Sequence, residues 1–302
     1  MKDTASSKVI THIMGGLGNQ MFQYAFGRTL SLHYGVPLKL DVLDFIGYEV
    51  HNGFEIQRVF DLSLDIATES DFYQVMGWRG NRLARKVARR LGYECLRSTE
   101  MLQQNINSSA MDHIQLAGKN CYLSGCWQSE LYFKREEKVI RKDFQFKPPM
   151  SVENTKWSEL IQNSRSVSLH VRRGDYVSNA HTHSVHGVCS IEYYNNAINY
   201  LVERFEGLTF FVFSDDILWA RGNLSIPSAS YYIDNNHGAE SYNDMRLMSL
   251  CQHHIIANSS FSWWGAWLSE SAESSHVVAP ERWANLQAIA LDEICPNNWV
   301  RL

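Results

Sequence analysis

Apolar residues along the chain fall into short β-branched or aromatic runs, separated by stretches in which they recur every three or four positions. The first run, Val9-Ile10-Thr11-His12-Ile13-Met14, ends at Gly15-Gly16-Leu17-Gly18-Asn19-Gln20. Helical spacing follows from Met21 to Tyr34, with Phe22, Ala25, Phe26, Thr29 and Leu30 on one face. The same reading predicts strands over 36–41 and 121–128 and helices over 69–92 and 131–141, with 44–66 and 101–118 irregular. Phe144-Gln145-Phe146-Lys147-Pro148-Pro149 closes this half, because paired prolines cannot continue a helix. Beyond it the alternation is regular. Strands are predicted over 167–171, 208–213, 230–234, 253–257 and 277–280, with helices over 151–164, 191–205, 239–251 and 261–270 and a shorter one after Asp216. Strands that alternate with helices make a parallel sheet covered on both faces. The expected fold is therefore α/β, with two doubly wound domains, 1–149 and 150–302, facing a cleft. The last stretch, about 20 residues, is free to pack back on the first domain.

Composition narrows the class. The 302 residues are 45% hydrophobic and 20% charged, as in a soluble globular protein. A net charge of −4 gives no electrostatic case for nucleic acid. The first eight residues are polar and lead into a short strand, unlike a secretion signal, and no apolar run nears the ~18 residues of a spanning helix. The six cysteines contain no CxxC pair and read as reduced thiols. These features predict a cytoplasmic protein. One segment departs from the average: Arg79, Arg82, Arg85, Lys86, Arg89 and Arg90 surround Leu83, Val87 and Leu91. Two readings of this basic helix, 79–92, stand: a solvated face, or peripheral contact with anionic lipid on the inner membrane face.

The chemistry gathers at strand ends. All C-termini of a parallel sheet lie along one edge, where ligands bind. The second half places there His170-Val171-Arg172-Arg173-Gly174-Asp175, then Ser214-Asp215-Asp216, then Asn258-Ser259-Ser260. Arginine forks hold phosphate, serines at a helix start present N–H groups to it, and carboxylates accept from sugar hydroxyls or a base edge. Arg172 and Arg173 point to opposite faces while the strand persists, so they differ in role. The plainer reading is that one of them simply pairs with Asp175. Asp215 and Asp216 are adjacent, and no Asp-x-Asp occurs in the chain, which argues against a metal-bridged diphosphate. In the first half, Gly16-x-Gly18 would need Gly or Ala at Met21 to form a dinucleotide fingerprint, which disfavours a nicotinamide enzyme. Asn19 and Gln20 are either helix caps or ligand contacts. Nine tryptophans and fourteen tyrosines suit sugar faces as well as cores, so a non-catalytic carbohydrate-binding protein is the rival class.

Four motifs in register carry a family resemblance. His170-Val171-Arg172-Arg173-Gly174-Asp175 is similar to the HxRRxD motif of fucosyltransferases that use GDP-fucose. With Gly15-Gly16-Leu17-Gly18-Asn19-Gln20-Met21-Phe22-Gln23-Tyr24-Ala25, Phe213-Ser214-Asp215-Asp216 and Asn258-Ser259-Ser260-Phe261-Ser262-Trp263-Trp264-Gly265-Ala266, it resembles the bacterial α-1,2-fucosyltransferases of glycosyltransferase family 11. The resemblance implies a GT-B-like fold of two Rossmann-like domains, the second binding GDP-fucose and the first shaping the acceptor side. By position, His170 and the Asp215/Asp216 pair would contact guanosine. Arg172 and Arg173 would reach the diphosphate, with Asn258, Ser259 and Ser260 beside it. Asn19 would face the reacting sugar, with Gly16, Gln20 and His186 on the acceptor side, and Asp175 would orient an arginine. His181, His183 and His186 leave the general base open. The implied reaction is an inverting, metal-independent transfer to the 2-hydroxyl of a galactose-terminated glycan, without further cofactor, in O-antigen synthesis. Another linkage or acceptor is the nearest alternative.

Overall fold

The computed structural model describes residues 7–47, 52–91, 101–105, 108–174, 187–269, 275–284 and 291–302. The chain forms two compact units that divide between Lys147 and Pro148. In the first unit, β1 (Val9–His12), β2 (Leu38–Asp41), β3 (Met101–Gln103) and β4 (Cys121–Ser124) form a parallel sheet in the order β2-β1-β4-β3. The helix that follows β1 runs Leu17–Tyr34, so it begins at Leu17 rather than Met21. Buried polar residues hide this start from an apolar pattern. The Gln20 amide donates to the Gly15 and Gly53 carbonyls (2.9 and 2.8 Å) and accepts from the Glu55 and Ile56 amides. Gln23 accepts from Met14 N–H. Gly16 sits at the N-cap, and Gly35, at φ 62°, ends the helix with its N–H returned to the last turn.

The expected helix over 69–92 is two helices, Glu69–Met76 and Arg82–Leu91, separated by a 3₁₀ turn over Gly77–Gly80. Gly80 packs so closely that an added Cβ would lie 2.3 Å from the Phe72 carbonyl oxygen. The region expected to be irregular contains β3 and a helix, Ala110–Leu116, opened by a Ser109/Asp112 capping box. Strands of three residues are too short to display alternation. The predicted helix over 131–141 is two 3₁₀ turns followed by Glu137–Asp143.

In the second unit, β5 (Arg165–Val171), β6 (Leu208–Ser214), β7 (Ala229–Ile233), β8 (His253–Ile255), β9 (Val277–Ala279) and β10 (Val300–Arg301) form a parallel sheet in the order β10-β9-β8-β5-β6-β7. Val167, Leu169, Val171, Phe210, Val212 and Ile255 build its core with Tyr194, Ala197, Ile198 and Leu201 of the helix Ile191–Val202. Each such side chain contributes about 1.5–3 kcal/mol by leaving water, which is why the long apolar runs fix this sheet. In the tail, β10 adds to β9, Leu302 N–H donates to the Ala279 carbonyl, and Ile294 accepts from the Trp263 indole at 2.8 Å.

The winding positions the site. From β5 the chain proceeds through β6 to β7, whereas from β8 it proceeds through β9 to β10 on the other side. The neighbouring ends of β5 and β8 are therefore a topological switch point, where connections diverge and leave a crevice.

Candidate active site

Register brings the predicted strand ends together. Val171 lies opposite Ser214, and Leu169 opposite Ile255, so the residues after β8, β5 and β6 emerge side by side. Arg172 Nη1 is 3.0 Å from Asp215 Oδ2. Arg173 instead turns to Asp216, with Nε 3.5 Å from Oδ2, and its guanidinium lies 4.0 Å from the Trp219 ring centroid. β5 ends at Val171, so the opposite-face argument does not extend to the arginines; each nevertheless has its own aspartate.

The carboxylates are themselves fixed. Asp215 Oδ1 accepts from the Arg173 backbone N–H at 2.8 Å. Gly174 permits this approach, since a Cβ there would lie 2.8 Å from Asp215 Oδ2. Asp216 caps the helix Ile217–Asn223 by accepting from Trp219 N–H, and its own N–H donates to Ser214 Oγ. The partner expected from sequence, Asp175, lies outside the described residues, as do His181, His183 and His186. Across more than 40 positions of chain, Asp215 and Asp216 pair with the two arginines.

His170 is buried beneath the arginines, its ring 5.9 Å from that of Phe261. Burial pushes its pKa down to about 4, opposed by the charge of Asp215 and reinforced by that of Arg172. The imidazole is thus neutral at physiological pH, and its Nδ1 makes no hydrogen bond among the described residues. Such a group suits a polar ligand edge better than a phosphate.

After β8 the three expected residues differ in role. Asn258 is buried, with Nδ2 donating to the Trp283 and Gly187 carbonyls at 3.2 and 3.4 Å, and its Oδ1 accepts from the Cys189 thiol. Its amide ties two loops together. Ser259 caps the helix Ser260–Trp267 through Phe261 N–H, and Ser260 begins that helix half-buried. The helix is anchored by Trp263, Trp264 and Trp267, all buried in ring-to-ring contact, so these indoles serve the core and not a sugar face.

The first unit carries a second constellation, at the ends of β1 and β4. Asn19 Oδ1 accepts from Gln128 Nε2 at 2.7 Å. Gly15, at φ 76°, leaves room for it, because a Cβ there would lie 2.9 Å from Asn19 Nδ2. Gln128 follows Trp127, a buried residue at φ 54°, a left-handed conformation that costs about 1–3 kcal/mol outside glycine. Gln104 Oε1 pins that bend, accepting from the Cys126 and Trp127 amides at 2.8 and 3.0 Å. Phe26 and Tyr132 hold the indole. Gln104, Trp127 and Gln128 were not among the expected site residues; their signal is a Gly-Cys-Trp-Gln run closing a strand. Gln20, expected on the acceptor side, is fully buried in the contacts that shape this turn, and Gly16 is the helix N-cap.

One surface expectation also changes. Arg85 of the basic segment is buried, ion-paired with Asp41 and Glu69. Among the described residues no group of three His, Cys, Asp or Glu is placed to hold a metal ion, and no helix is long and apolar enough to cross a membrane. Cys121, Cys126, Cys189, Cys251 and Cys295 are free, and burial raises every one of these thiols, which makes them poor nucleophiles.

Comparison with known proteins agrees with this geometry. The family model described as Glycosyl transferase family 11 matches residues 98–302. The chain is 36% identical over 302 residues to an alpha-1,2-colitosyltransferase of Escherichia coli, covering 98% of this chain and 99% of that protein. It is 34% identical to the O-antigen biosynthesis glycosyltransferase WbnK of Escherichia coli, over 90% and 93% of the two chains. Among solved structures, the fucosyltransferase NodZ from Bradyrhizobium superposes with a TM-score of 0.54 at 13% identity, covering 87% of this chain and 92% of that one. NodZ has also been solved after soaking with GDP-fucose. At that identity the likeness is one of fold: GT-B-like α/β units with parallel sheets.

Proposed function

The chain belongs to glycosyl transferase family 11, and we propose that within it the protein transfers L-fucose from GDP-β-L-fucose to the 2-hydroxyl of a terminal galactose, with inversion at C1. The observation that carries this reading is the pair of arginines, each aligned by its own aspartate, at the switch point of the second sheet. Cleavage of the C1–O bond builds negative charge on the departing GDP. Planar guanidinium groups meet two phosphates bidentately and stabilise that charge. Arg172 is the arginine we assign to the developing charge. Arg173, held over Trp219, fixes the diphosphate's orientation. The N–H groups that open the helix Ser260–Trp267 face the remaining phosphate oxygens. His170, neutral and buried, takes the guanosine side, with Asp215 near it. Asn19, steadied by Gln128, serves the sugar hydroxyls of the acceptor side.

A second reading is favoured by one observation, the 36% identity to a colitosyltransferase. Colitose is L-fucose without its 3-hydroxyl, so the two nucleotide sugars differ by one hydrogen-bonding group. The deciding experiment offers GDP-fucose and GDP-colitose separately to the purified protein with a panel of β-galactosides, with and without EDTA, and reads product linkage by NMR. An α-1,2-linked fucoside formed equally well in EDTA is expected. Turnover with GDP-colitose alone would overturn the fucose assignment and leave the family intact. The kinship with WbnK supports a role in O-antigen biosynthesis.

A further inference from the structure

We propose that the turn Gly77–Gly80 and the following helix Arg82–Leu91 form a docking surface for an anionic lipid membrane. The helix cannot roll freely, because Arg85 locks its inner face. The Arg85 guanidinium lies 3.3 Å from Asp41, 2.7 Å from Glu69 and 3.0 Å from the Gly80 carbonyl, and it stacks 3.4 Å from the Phe72 ring centroid. At 100° per residue, positions 83 and 87 then point directly away from the unit. Both are large and apolar, and both are exposed: Leu83 by 69% and Val87 by 46%. Trp78, on the preceding turn, is 65% exposed, with the Arg79 guanidinium 5.0 Å from its ring centroid.

Cations flank this apolar ridge. Arg82 and Lys86 are exposed beside Leu83 and Val87, and the helix contains no acidic residue. The nearest carboxylates are committed elsewhere, Asp41 and Glu69 to Arg85 and Asp71 to Lys8. Among the described residues Arg79, Arg82 and Lys86 have no carboxylate partner. A chain with a net charge of −4 thus concentrates positive charge around exposed indole and aliphatic groups. A Trp at headgroup depth, aliphatic side chains below it and Lys/Arg stems reaching phosphate are the parts of an interfacial helix. A neutral apolar partner would leave the cations unanswered, and nucleic acid would leave the ridge exposed. Anionic lipid answers both. The inference rests on this surface alone and is independent of the sugar-nucleotide assignment.

The test uses the full chain in co-sedimentation with vesicles of phosphatidylcholine alone and of equal parts phosphatidylcholine and phosphatidylglycerol. At least about tenfold stronger partitioning to the anionic vesicles is expected, weakened by added salt. Arg82→Glu with Lys86→Glu should reduce it by more than tenfold, since each basic residue at such a surface is worth about fivefold. Leu83→Ser with Val87→Ser should reduce it at unchanged salt sensitivity. Melting temperature and turnover on a soluble acceptor should stay at the wild-type level in both variants, which separates docking from folding. Equal binding to both vesicles would overturn the proposal. So would unaltered binding by either variant, or a self-association that Leu83→Ser and Val87→Ser abolish in a protein that ignores vesicles.

Discussion

The two units place different chemistry at comparable points of their sheets. After β5 and β6 the second unit presents paired ions, Arg172 with Asp215 and Arg173 with Asp216. After β1 and β4 the first presents paired amides, Asn19 with Gln128, on backbone bent by Gly15 and Trp127. Ions aligned by ions suit a ligand whose charge grows during reaction; amides aligned by amides suit hydroxyls whose charge hardly changes. Under the proposed reading the contrast puts the nucleotide on the second unit and the neutral sugar on the first.

The sharpest way to break that contrast is at Arg172. Arg172→Ala should lower kcat by about 10²–10³-fold in a folded protein, because one aligned group facing developing charge is worth that much. Arg172→Lys should recover little of it, since a point charge lacks the fork. Steady-state rates beside circular dichroism decide the matter, and a wild-type kcat would remove the ionic site from the chemistry. Gly174→Ala comes next. Its Cβ would collide with Asp215 Oδ2 and displace the carboxylate that aligns Arg172. A loss of up to about 10²-fold in kcat/KM for the sugar nucleotide is expected, with the acceptor KM unchanged. Gln128→Leu should act on the opposite substrate. Releasing Asn19 forfeits one hydrogen bond, about 1 kcal/mol or fivefold, and should appear in the acceptor KM alone. A change confined to the nucleotide KM would reverse the assignment of the units.

The smallest effect is acid sensitivity, expected to lie mainly in the second unit. Burial holds His170 and His253 at about 4 and His254 at about 3, all below the ordinary imidazole value. The unfolded chain takes up these protons first, so the stability they confer is complete above about pH 6.5 and declines as pH falls toward the folded values. Asp244 opposes them. Burial raises it to about 7, and its contribution is greatest below the usual carboxylate range and is lost as pH rises through 7. Three imidazoles against one carboxylate give a net loss on acidification. Melting curves between about pH 7 and 5 should show it, and His254→Gln should flatten the slope.

The second sheet was legible because its apolar runs are long: Leu208–Ser214 needs no context to be recognised as a buried strand. What stayed hidden depends on distance along the chain. Nothing near Arg172 in sequence names Asp215 as its partner. Arg85 reads as a surface cation until it is found on Asp41. In the first unit, buried Gln20 and Gln23 interrupt the apolar pattern because they satisfy backbone groups that no hydrophobic residue could. Polar residues that serve the backbone look, in one dimension, like residues that serve a ligand.

The two ion pairs have a consequence for selectivity among nucleotides. Under the proposed reading each guanidinium, with five N–H donors, meets its aspartate and a phosphate together, so the carboxylates stay in place as the ligand enters. Two linked phosphates engage both arginines, and the linkage makes the second contact intramolecular. A nucleoside monophosphate is then expected to bind more weakly than the diphosphate.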